Sequence, residues 1–321
     1  MLSTRAIAAN PQTGKVYAAD SKSGVVTIFN ARTNSVSHVR VGAMPIALAV
    51  NSAANRIYVA NFRGASLSVI DGVGDSVVAT LPVGERPYAV AVNPATNKIY
   101  VSNQFSDTVR VIDGATNTVS SFKAGSFNVI ATDSKLDRVY LLGYEDTDLK
   151  VLGDGTVIAE KISVGMHQWA MTVNENASAL YVTRIGNAEL VVIEERSGAI
   201  TKVPTGAIPC AVEFNSATNR IYVVNHGDDT VTVVDAAKLV PIGTVRVGHK
   251  PQALAIDRKA NRIYVANRND KTVTVIDGTT DSILKTVPVP RNPFALSVDE
   301  SSGRIFAALV DGTSSEITGL R

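Results

Sequence analysis

The sequence predicts an all-β fold, a β-propeller made of four-stranded antiparallel blades. The string "NPATNKIYVSN" at residues 93–103 returns in closely similar form at 51, 215 and 257. Its aromatic residue recurs through the whole chain at spacings of 40 to 42 residues. The eight copies are Tyr17, Tyr58, Tyr100, Tyr140, Tyr181, Tyr222, Tyr264 and Phe306. A fixed period in the low forties, filled with short strands, is typical of propeller blades, so residues 1–321 are expected to form a single propeller domain.

Each unit contains four short strands, named A to D from the central axis outward. In the third unit they are predicted at 88–92, 98–102, 108–113 and 118–122. Strand C alternates β-branched and polar residues, as in "TVTVID" at 272–277, which indicates that one face packs on a neighbouring blade. Strand A is rich in alanine, which suits the crowded centre of a ring. Proline often precedes it, at a position where a missing amide proton costs least.

The turn between strands A and B explains the recurring asparagines. Four residues after the Asn or Asp that opens this turn, seven of the eight copies carry a residue type that tolerates a left-handed backbone. These residues are Gly14, Asn55, Asn97, Asp137, Asn219, Asn261 and Gly303, and the eighth copy has Ser178. Pairs such as Asp71-Gly72 are expected to close the turns between strands C and D.

The number of blades depends on the last unit. Strands A and B appear eight times, whereas a clear strand D appears only seven times. The eighth unit shows strands at 294–298 and 304–308, and 314–320 could be its third strand. We therefore expect eight blades with an incomplete last blade, and seven blades if the terminal copies do not both enter the ring. An open edge strand would allow a dimer through the last blade.

The repeat also resembles a known family. The motifs "YVAN" at 58 and 264, "YVSN" at 100 and "YVVN" at 222, each followed by a strand such as "TVTV" or "SLSV" and then "ID", are similar to the YVTN-type β-propeller repeats. The resemblance implies a bacterial or archaeal surface or periplasmic protein with lactonase-like, lyase-like and cofactor-carrying relatives. The fourth and fifth copies depart from it, with "YLLG" at 140 and "YVTR" at 181.

Composition excludes several classes of protein. Hydrophobic residues make up 45% of the chain, and 31 Lys and Arg nearly balance 29 Asp and Glu, so no strong field favours nucleic acid. No apolar run approaches the roughly 20 residues that cross a bilayer. The single cysteine, Cys210, excludes an internal disulfide, and no metal or cofactor motif is evident. The predicted location is periplasmic or extracellular if a leader was removed, and otherwise cytoplasmic.

Candidate ligand-binding residues lie where the repeat varies. In a propeller the D-to-A and B-to-C connections gather on one side of the ring around the channel mouth, here called the loop face. The residues that differ between copies in or beside these connections are candidates, because such variety is typical of a binding surface; the alternative is an unconstrained loop, which varies in the same way. They are Arg86, Tyr88, Asn128, Tyr144, Trp169, Cys210, Lys250, Gln252, Arg291 and Phe294.

Four further residues are candidates for acid–base chemistry. His167, His226 and His249 fall in loops of this face, and imidazole titrates near neutral pH; the alternative is that they are ordinary surface histidines. Glu213 occupies a strand A position where the other copies have Ala, Ser or Thr. A carboxylate so close to the axis should face channel water or a cation, because burying it unpaired is costly.

Two functions fit these features. The first is a rigid scaffold that binds a small ligand, a glycan or a partner protein on the loop face. The alternative is an enzyme, lactonase-like or lyase-like, that acts on a small molecule with Glu213 and a loop histidine as acid and base. Nucleic-acid binding is disfavoured by the near-neutral charge, although Arg86, Lys250 and Arg291 could form a small basic rim.

Overall fold

Strands account for all the regular structure in the described part of the protein. The computed structural model describes residues 6–104, 106, 108–123, 125, 127–153, 156–310 and 315–320, and gives side chains for all of these except 156–161, 310 and 315–320. Among these residues the strands form seven four-stranded antiparallel sheets and one three-stranded sheet. No helix within them is long and apolar enough to cross a bilayer. The predicted all-β propeller of four-stranded blades is confirmed, with seven complete blades and a shorter last unit.

Every sheet follows chain order from the axis outward. The first four contain β1 (Ile7–Asn10), β2 (Lys15–Asp20), β3 (Val25–Asn30), β4 (Val36–Arg40); β5 (Pro45–Asn51), β6 (Arg56–Asn61), β7 (Ser66–Asp71), β8 (Ser76–Pro82); β9 (Pro87–Asn93), β10 (Lys98–Asn103), β11 (Thr108–Asp113), β12 (Val119–Lys123); β13 (Val129–Asp133), β14 (Arg138–Leu142), β15 (Asp148–Gly153) and β16 (Thr156–Ser163). The others contain β17 (Gln168–Asn174), β18 (Ala179–Arg184), β19 (Glu189–Glu194), β20 (Ile200–Pro204); β21 (Pro209–Asn215), β22 (Arg220–Asn225), β23 (Thr230–Asp235), β24 (Val240–Arg246); β25 (Pro251–Asp257), β26 (Arg262–Asn267), β27 (Thr272–Asp277), β28 (Ile283–Pro288); and β29 (Asn292–Asp299), β30 (Arg304–Val310), β31 (Ser315–Leu320).

The three-stranded sheet closes the ring. Its inner strand β29 contacts both β25 of the seventh blade and β1 of the first. Phe294 and Phe306 of this sheet lie in one buried cluster with Tyr17 and Ile28 of the first blade, and the ring centroids of Phe29 and Phe306 are 5.1 Å apart. No fourth strand pairs with β31 within the described residues; a dimer through this blade stays a prediction.

The core lies between the blades. Strand B of the second blade has Ile57, Tyr58 and Val59 fully buried, although their side chains alternate between the two faces of the sheet. Both faces are therefore covered by neighbouring blades. Each such side chain stabilises the folded state by roughly 1.5 to 3 kcal/mol, so the cohesion of the ring comes from apolar packing between units.

The A-to-B and C-to-D turns form the opposite side of the ring, here called the turn face. All seven residues predicted to tolerate a left-handed backbone have positive φ angles, and so does Ser178 in the remaining copy. The Asn that ends strand A then links its blade to the next one. The side-chain amide of Asn10 donates to the Oδ1 atom of Asn55 at 2.6 Å, and Asn51 donates in the same way to Asn97 at 2.7 Å. The asparagines thus serve both turn geometry and blade registration.

A basic residue at the start of strand B strengthens the same connection. Lys15 forms an ion pair at 2.9 Å with Asp75, in the C-to-D turn of the following blade. Arg304 repeats this contact across the closure of the ring. Its guanidinium donates to the carbonyl of Ala31 and to the Oδ1 atom of Asn34, each at 2.7 Å. The last unit is therefore bound to the first by the contact that joins internal blades.

Replacing Arg304 with Ala should weaken ring closure. The substitution removes both hydrogen bonds and the cation over the rings of Phe29 and Phe306, so we expect the free energy of unfolding to fall by roughly 1 to 3 kcal/mol. Urea denaturation measures this. Arg262→Ala is the matched control, because Arg262 occupies the same repeat position one blade earlier but is exposed, and should change stability by under about 0.5 kcal/mol. Equal losses in both variants would contradict the role of Arg304.

Candidate functional site

Several predicted ligand-binding residues occupy equivalent β-bulges on the loop face. In six blades the pairing of strands A and B shifts by one residue near the start of strand A. The unpaired residues are Ile46, Tyr88, Trp169, Cys210, Gln252 and Phe294. A bulge re-aims a side chain and is common beside functional sites. Tyr88, Trp169 and Gln252 are half-buried, whereas Cys210 and Phe294 are buried, so only the first three can offer substantial surface to a ligand.

Three of the predicted residues form an aromatic cluster, defined by Tyr144, His167 and Trp169. The ring of Tyr144 lies 5.2 Å from that of His167 and 6.2 Å from that of Trp169, measured between centroids. Tyr144 belongs to the B-to-C loop of the fourth blade, His167 to the D-to-A connection that leads to the fifth, and Trp169 to the bulge at the start of β17. All three are half-buried. The cluster therefore presents apolar ring surface at a junction between two blades.

The backbone around the cluster is held by hydrogen bonds. The amide of His167 donates to the carbonyl of Tyr144 at 2.8 Å, and His167 has a φ angle of 64°, a conformation that is uncommon outside glycine. The side-chain amide of Gln168 donates to the carbonyl of Asp146 at 2.9 Å. These bonds join the two loops, so the rings are positioned before any ligand arrives.

The unusual end of the fifth strand B supports this arrangement. Four of the eight repeats carry Asn at the end of strand B, as at Asn225, which donates to Thr232 on strand C at 2.8 Å. The fifth blade has Arg184 instead, and its Nε atom donates to the carbonyl of Met166 at 3.1 Å. Arg184 also forms an ion pair with Glu189. The departure from the repeat motif thus anchors the loop that carries His167.

The remaining candidates on this face lie outside the aromatic cluster. The amide of Asn128 donates to the carbonyl of Leu142 at 3.0 Å. Tyr88 packs edge-on against Phe62 with 6.4 Å between centroids, and burial raises its pKa. Arg86 is exposed with a φ angle of 51°, and Arg291 is half-buried. The candidates are therefore distributed around the ring rather than gathered in one pocket.

Two of the histidines are engaged in hydrogen bonds of the scaffold. The Nδ1 atom of His226 lies 2.9 Å from the carbonyl of Pro251, and that of His249 lies 2.8 Å from the Oδ2 atom of Asp229. Asp229 also accepts from the amide of Lys250 at 2.9 Å, and this bond, followed by His249, lowers its pKa. Gln252 is near this pair in the chain and accepts from Arg268 at 3.4 Å. In the described part of the chain, no three His, Cys, Asp or Glu side chains group closely enough to hold a metal ion.

Cys210 is placed as a core residue. Its thiol donates to the carbonyls of Pro251 and Gln252, each at 3.6 Å. Burial raises the pKa of the thiol to about 12, so it stays protonated at neutral pH. A protonated buried thiol is a poor nucleophile. Phe294 is likewise 2% exposed in the cluster that closes the ring.

Glu213 lies toward the other end of the channel from the histidine loops. It pairs with Arg258 at 3.6 Å, and Arg258 pairs with Glu300 at 3.5 Å. These residues and Pro11 border a cavity of about 310 Å³ beside the A-to-B turns. As expected, the carboxylate has a cationic partner close to the axis. The structure places it by the turn face, whereas the histidines belong to connections of the loop face.

Sequence reasoning missed a buried acidic pair on the turn face. Glu195 is 1% exposed and Asp133 is fully buried, and Tyr140 lies beside them. Burial, and then the charge of Asp133, raise the pKa of Glu195 to about 7. A departure from the repeat could have revealed it: the pair Glu194-Glu195 stands where three other blades have Asp-Gly.

Comparison with known proteins agrees with the fold. The sequence pattern of the YNCE-like beta-propeller family matches residues 38–216. No curated protein matches the chain significantly. A hydrazine synthase structure from Kuenenia stuttgartiensis is similar, with a TM-score of 0.65 and 16% identity over 98% of this chain and 94% of that one. Dihydro-heme d1 dehydrogenase NirN, in complex with DHE, has a TM-score of 0.75 and 16% identity over 88% of this chain and 66% of its own. At such identity the likeness shows the fold alone.

Glu195 should make stability depend on pH. Its pKa is raised from 4.5 to about 7 on folding, so the folded state holds the proton more tightly. The resulting stabilisation is complete below about pH 4.5 and is lost as the pH rises through about 7, by on the order of 3 kcal/mol. Glu195→Gln cannot ionise, so we expect its stability relative to the natural protein to be higher at about pH 8 than at about pH 5, as measured by urea denaturation. Glu194→Gln is the matched control, because it makes the same change at the exposed neighbour and leaves the buried pair in place. A pH-independent difference for Glu195→Gln would disprove the assignment.

Proposed function

The chain belongs to the YNCE-like β-propeller family, and from this premise we propose that it is a rigid scaffold that binds a small ligand on the loop face, at the aromatic cluster. Of the other occupants that the sequence suggested, a glycan is an outcome that the experiment below separates, and a partner protein stays a prediction. A periplasmic or cell-surface location and the YVTN-type label stay predictions. The family match supports the coarser statement, a β-propeller repeat protein.

The aromatic cluster is the observation that carries the proposal. Tyr144, His167 and Trp169 come from two blades and keep part of their surface exposed. The ring centroid of Tyr144 lies 5.2 Å from that of His167 and 6.2 Å from that of Trp169. Aromatic rings pair with other flat groups at such distances, and one stacked ring contributes roughly 1 to 3 kcal/mol. A ligand with a flat apolar face fits this surface. The NirN structure was solved in complex with DHE, so a propeller of similar shape is compatible with carrying a small molecule.

The geometry favours binding over acid–base catalysis. Glu213 has a cationic partner in Arg258 at 3.6 Å, beside the turn face. The Nδ1 atoms of His226 and His249 are engaged with the scaffold, and they belong to loops on the other face. A general base must lie within hydrogen-bond reach of the same substrate as its acid partner. The scaffold proposal needs no such convergence.

Trp169 makes the proposal directly measurable. It is the only tryptophan in the chain, so its fluorescence reports on the cluster alone. We expect saturable quenching by a flat aromatic probe, either hemin or flavin mononucleotide, and no response to maltotriose. Tyr144→Ala should weaken the binding roughly tenfold, because it removes one stacking surface. Phe62→Ala is the matched control, since it removes a loop-face aromatic from another blade.

The outcomes of this titration are distinct. A response to maltotriose alone would indicate a glycan site and overturn the small flat ligand. No quenching by any probe, or equal affinity in the Tyr144→Ala protein, would exclude the aromatic cluster as the binding surface. Melting temperatures of both variants identify any loss of folding, which would appear with and without the probe.

Glu213→Gln tests the enzymatic alternative. The variant keeps the shape of the side chain but removes its charge opposite Arg258, and because both groups are partly exposed we expect stability to fall by under about 1 kcal/mol. Binding of the aromatic probe should not change, because Glu213 is placed by the turn face. Weakened probe binding without unfolding would instead connect Glu213 to the ligand. Thermal denaturation and the Trp169 titration give both readouts.

A further inference from the structure

A second feature of the loop face lies between the first and second blades, far along the ring from the aromatic cluster. A groove of about 700 Å³ is bordered by residues 21–24, 40–44 and Arg63. Its charged side chains are Lys22, Arg40 and Arg63, which come from three different segments and are all exposed. Within the part of the chain that the structure describes, none of the three forms an ion pair. The groove is therefore a concentrated positive surface.

The seventh blade shows what the equivalent location can hold. At the start of the seventh blade, the amide of His249 donates to the Oδ2 atom of Asp270 at 2.8 Å. The next amide, of Lys250, donates to the Oδ1 atom of Asp229 at 2.9 Å. Both aspartates belong to B-to-C loops. Two carboxylates thus satisfy two consecutive backbone donors of the D-to-A connection.

The second blade has the donors but not the carboxylates. The equivalent amides belong to Ala43 and Met44, and the positions of the two aspartates are taken by Gly64 and Gly24. A Cβ atom added to Gly64 would lie 3.0 Å from the nitrogen of Ala43, so a side chain at that position would point at the donor. Among the described residues, the amides of Ala43 and Met44 donate to no protein acceptor. Two backbone donors and three cations therefore border a groove where the seventh blade places two carboxylates.

We propose that this groove binds a small molecule carrying at least two oxyanion groups, whose oxygens take the place of the missing aspartates. The backbone amides of Ala43 and Met44 would each donate to an oxyanion, and Lys22, Arg40 and Arg63 would neutralise its charge. A hydrogen bond from a backbone amide to an oxyanion is roughly twice as strong as one between two neutral groups. The inference is independent of the aromatic cluster and of the function proposed for it.

The groove itself favours a small anion over nucleic acid. Its volume of about 700 Å³ is within the range of small-molecule sites. Single strands are bound by grooves that add aromatic stacking to positive charge, and no residue bordering this groove is aromatic. The nearest acidic residue in sequence, Asp20, accepts hydrogen bonds from the Lys22 amide and the Ser23 hydroxyl of its own loop, so it does not supply the missing acceptors.

Isothermal titration calorimetry with pyrophosphate and citrate tests the proposal. Both probes carry several oxyanion groups, and the stronger binder identifies phosphate or carboxylate as the preferred source. Gly64→Asp would restore the internal carboxylate, and we expect it to weaken binding at least about tenfold, because the carboxylate competes for the Ala43 amide. The equivalent Asp270 shows that the fold accepts this residue. Lys259→Ala is the matched control: it removes an exposed cation from the turn face and should leave affinity unchanged.

A second variant keeps the test decisive. If Gly64→Asp lowers the melting temperature strongly, the double variant Lys22→Ala with Arg63→Ala must show the loss of affinity, since both side chains are exposed and their removal spares the fold. The absence of binding for both anions would overturn the proposal. Equal affinity in the variants and the natural protein would do so too, as would binding of a single-stranded oligonucleotide without binding of either small anion.

Discussion

Apolar side chains on both faces of every blade are the constraint on which the structure depends. Ile57 and Tyr58 are adjacent on strand B, point to opposite faces and are both fully buried. A single sheet of this kind would leave one or both faces in water, so each blade requires a neighbour on each side. Every blade has a neighbour on each side only when the last unit packs against the first. The contacts of Phe306 and Arg304 with the first blade therefore stabilise the ring in the same way as the contacts between internal blades.

Closure gives the two sides of the ring different chemistry. On the turn face, side chains join neighbouring blades, as Asn10 does with Asn55 and Asn51 with Asn97. The residue types at those positions are constrained both by turn geometry and by the hydrogen bonds between blades, so substitution there lowers stability. On the loop face, several junctions are made by backbone groups, such as the amide of His167 with the carbonyl of Tyr144. Backbone contacts leave side chains free to vary, which explains why the repeat departs from itself mainly on that face.

The sequence predicts those parts of the fold that obey local rules. The period places the strands, and turn chemistry predicts seven of the eight left-handed residues that the structure has in these turns, the exception being Ser178. Contacts between blades were harder to foresee, because they depend on how closely the loops approach. His226 bonds to the carbonyl of Pro251, and nothing in the sequence near His226 indicates it. The bulges that position Trp169 and Gln252 were not predicted either, although the variety of residues there marked the place.

Some of the missed contacts do have a signal that uses the repeat. The asparagine bridges join residues 45 or 46 positions apart, which is one period plus the length of the turn. The pair Glu213 and Arg258 has nearly this same separation. A departure at one position is therefore best interpreted together with the position one period and a few residues later. Glu195 has its matching departure within its own blade: its amide donates to the carbonyl of Ser178 at 2.9 Å, and Ser178 stands where four other blades carry Asn.

A ring of equal units can gain a binding site by losing a side chain. Each D-to-A connection exposes backbone donors, and these need acceptors in every blade alike. In the seventh blade, Asp270 supplies one of them from within the protein. In the second, Gly64 supplies none, so solvent or a ligand must satisfy the Ala43 amide. A missing acceptor at such a junction leaves a backbone donor open to solvent, and this donor is the one that the proposed anion would use.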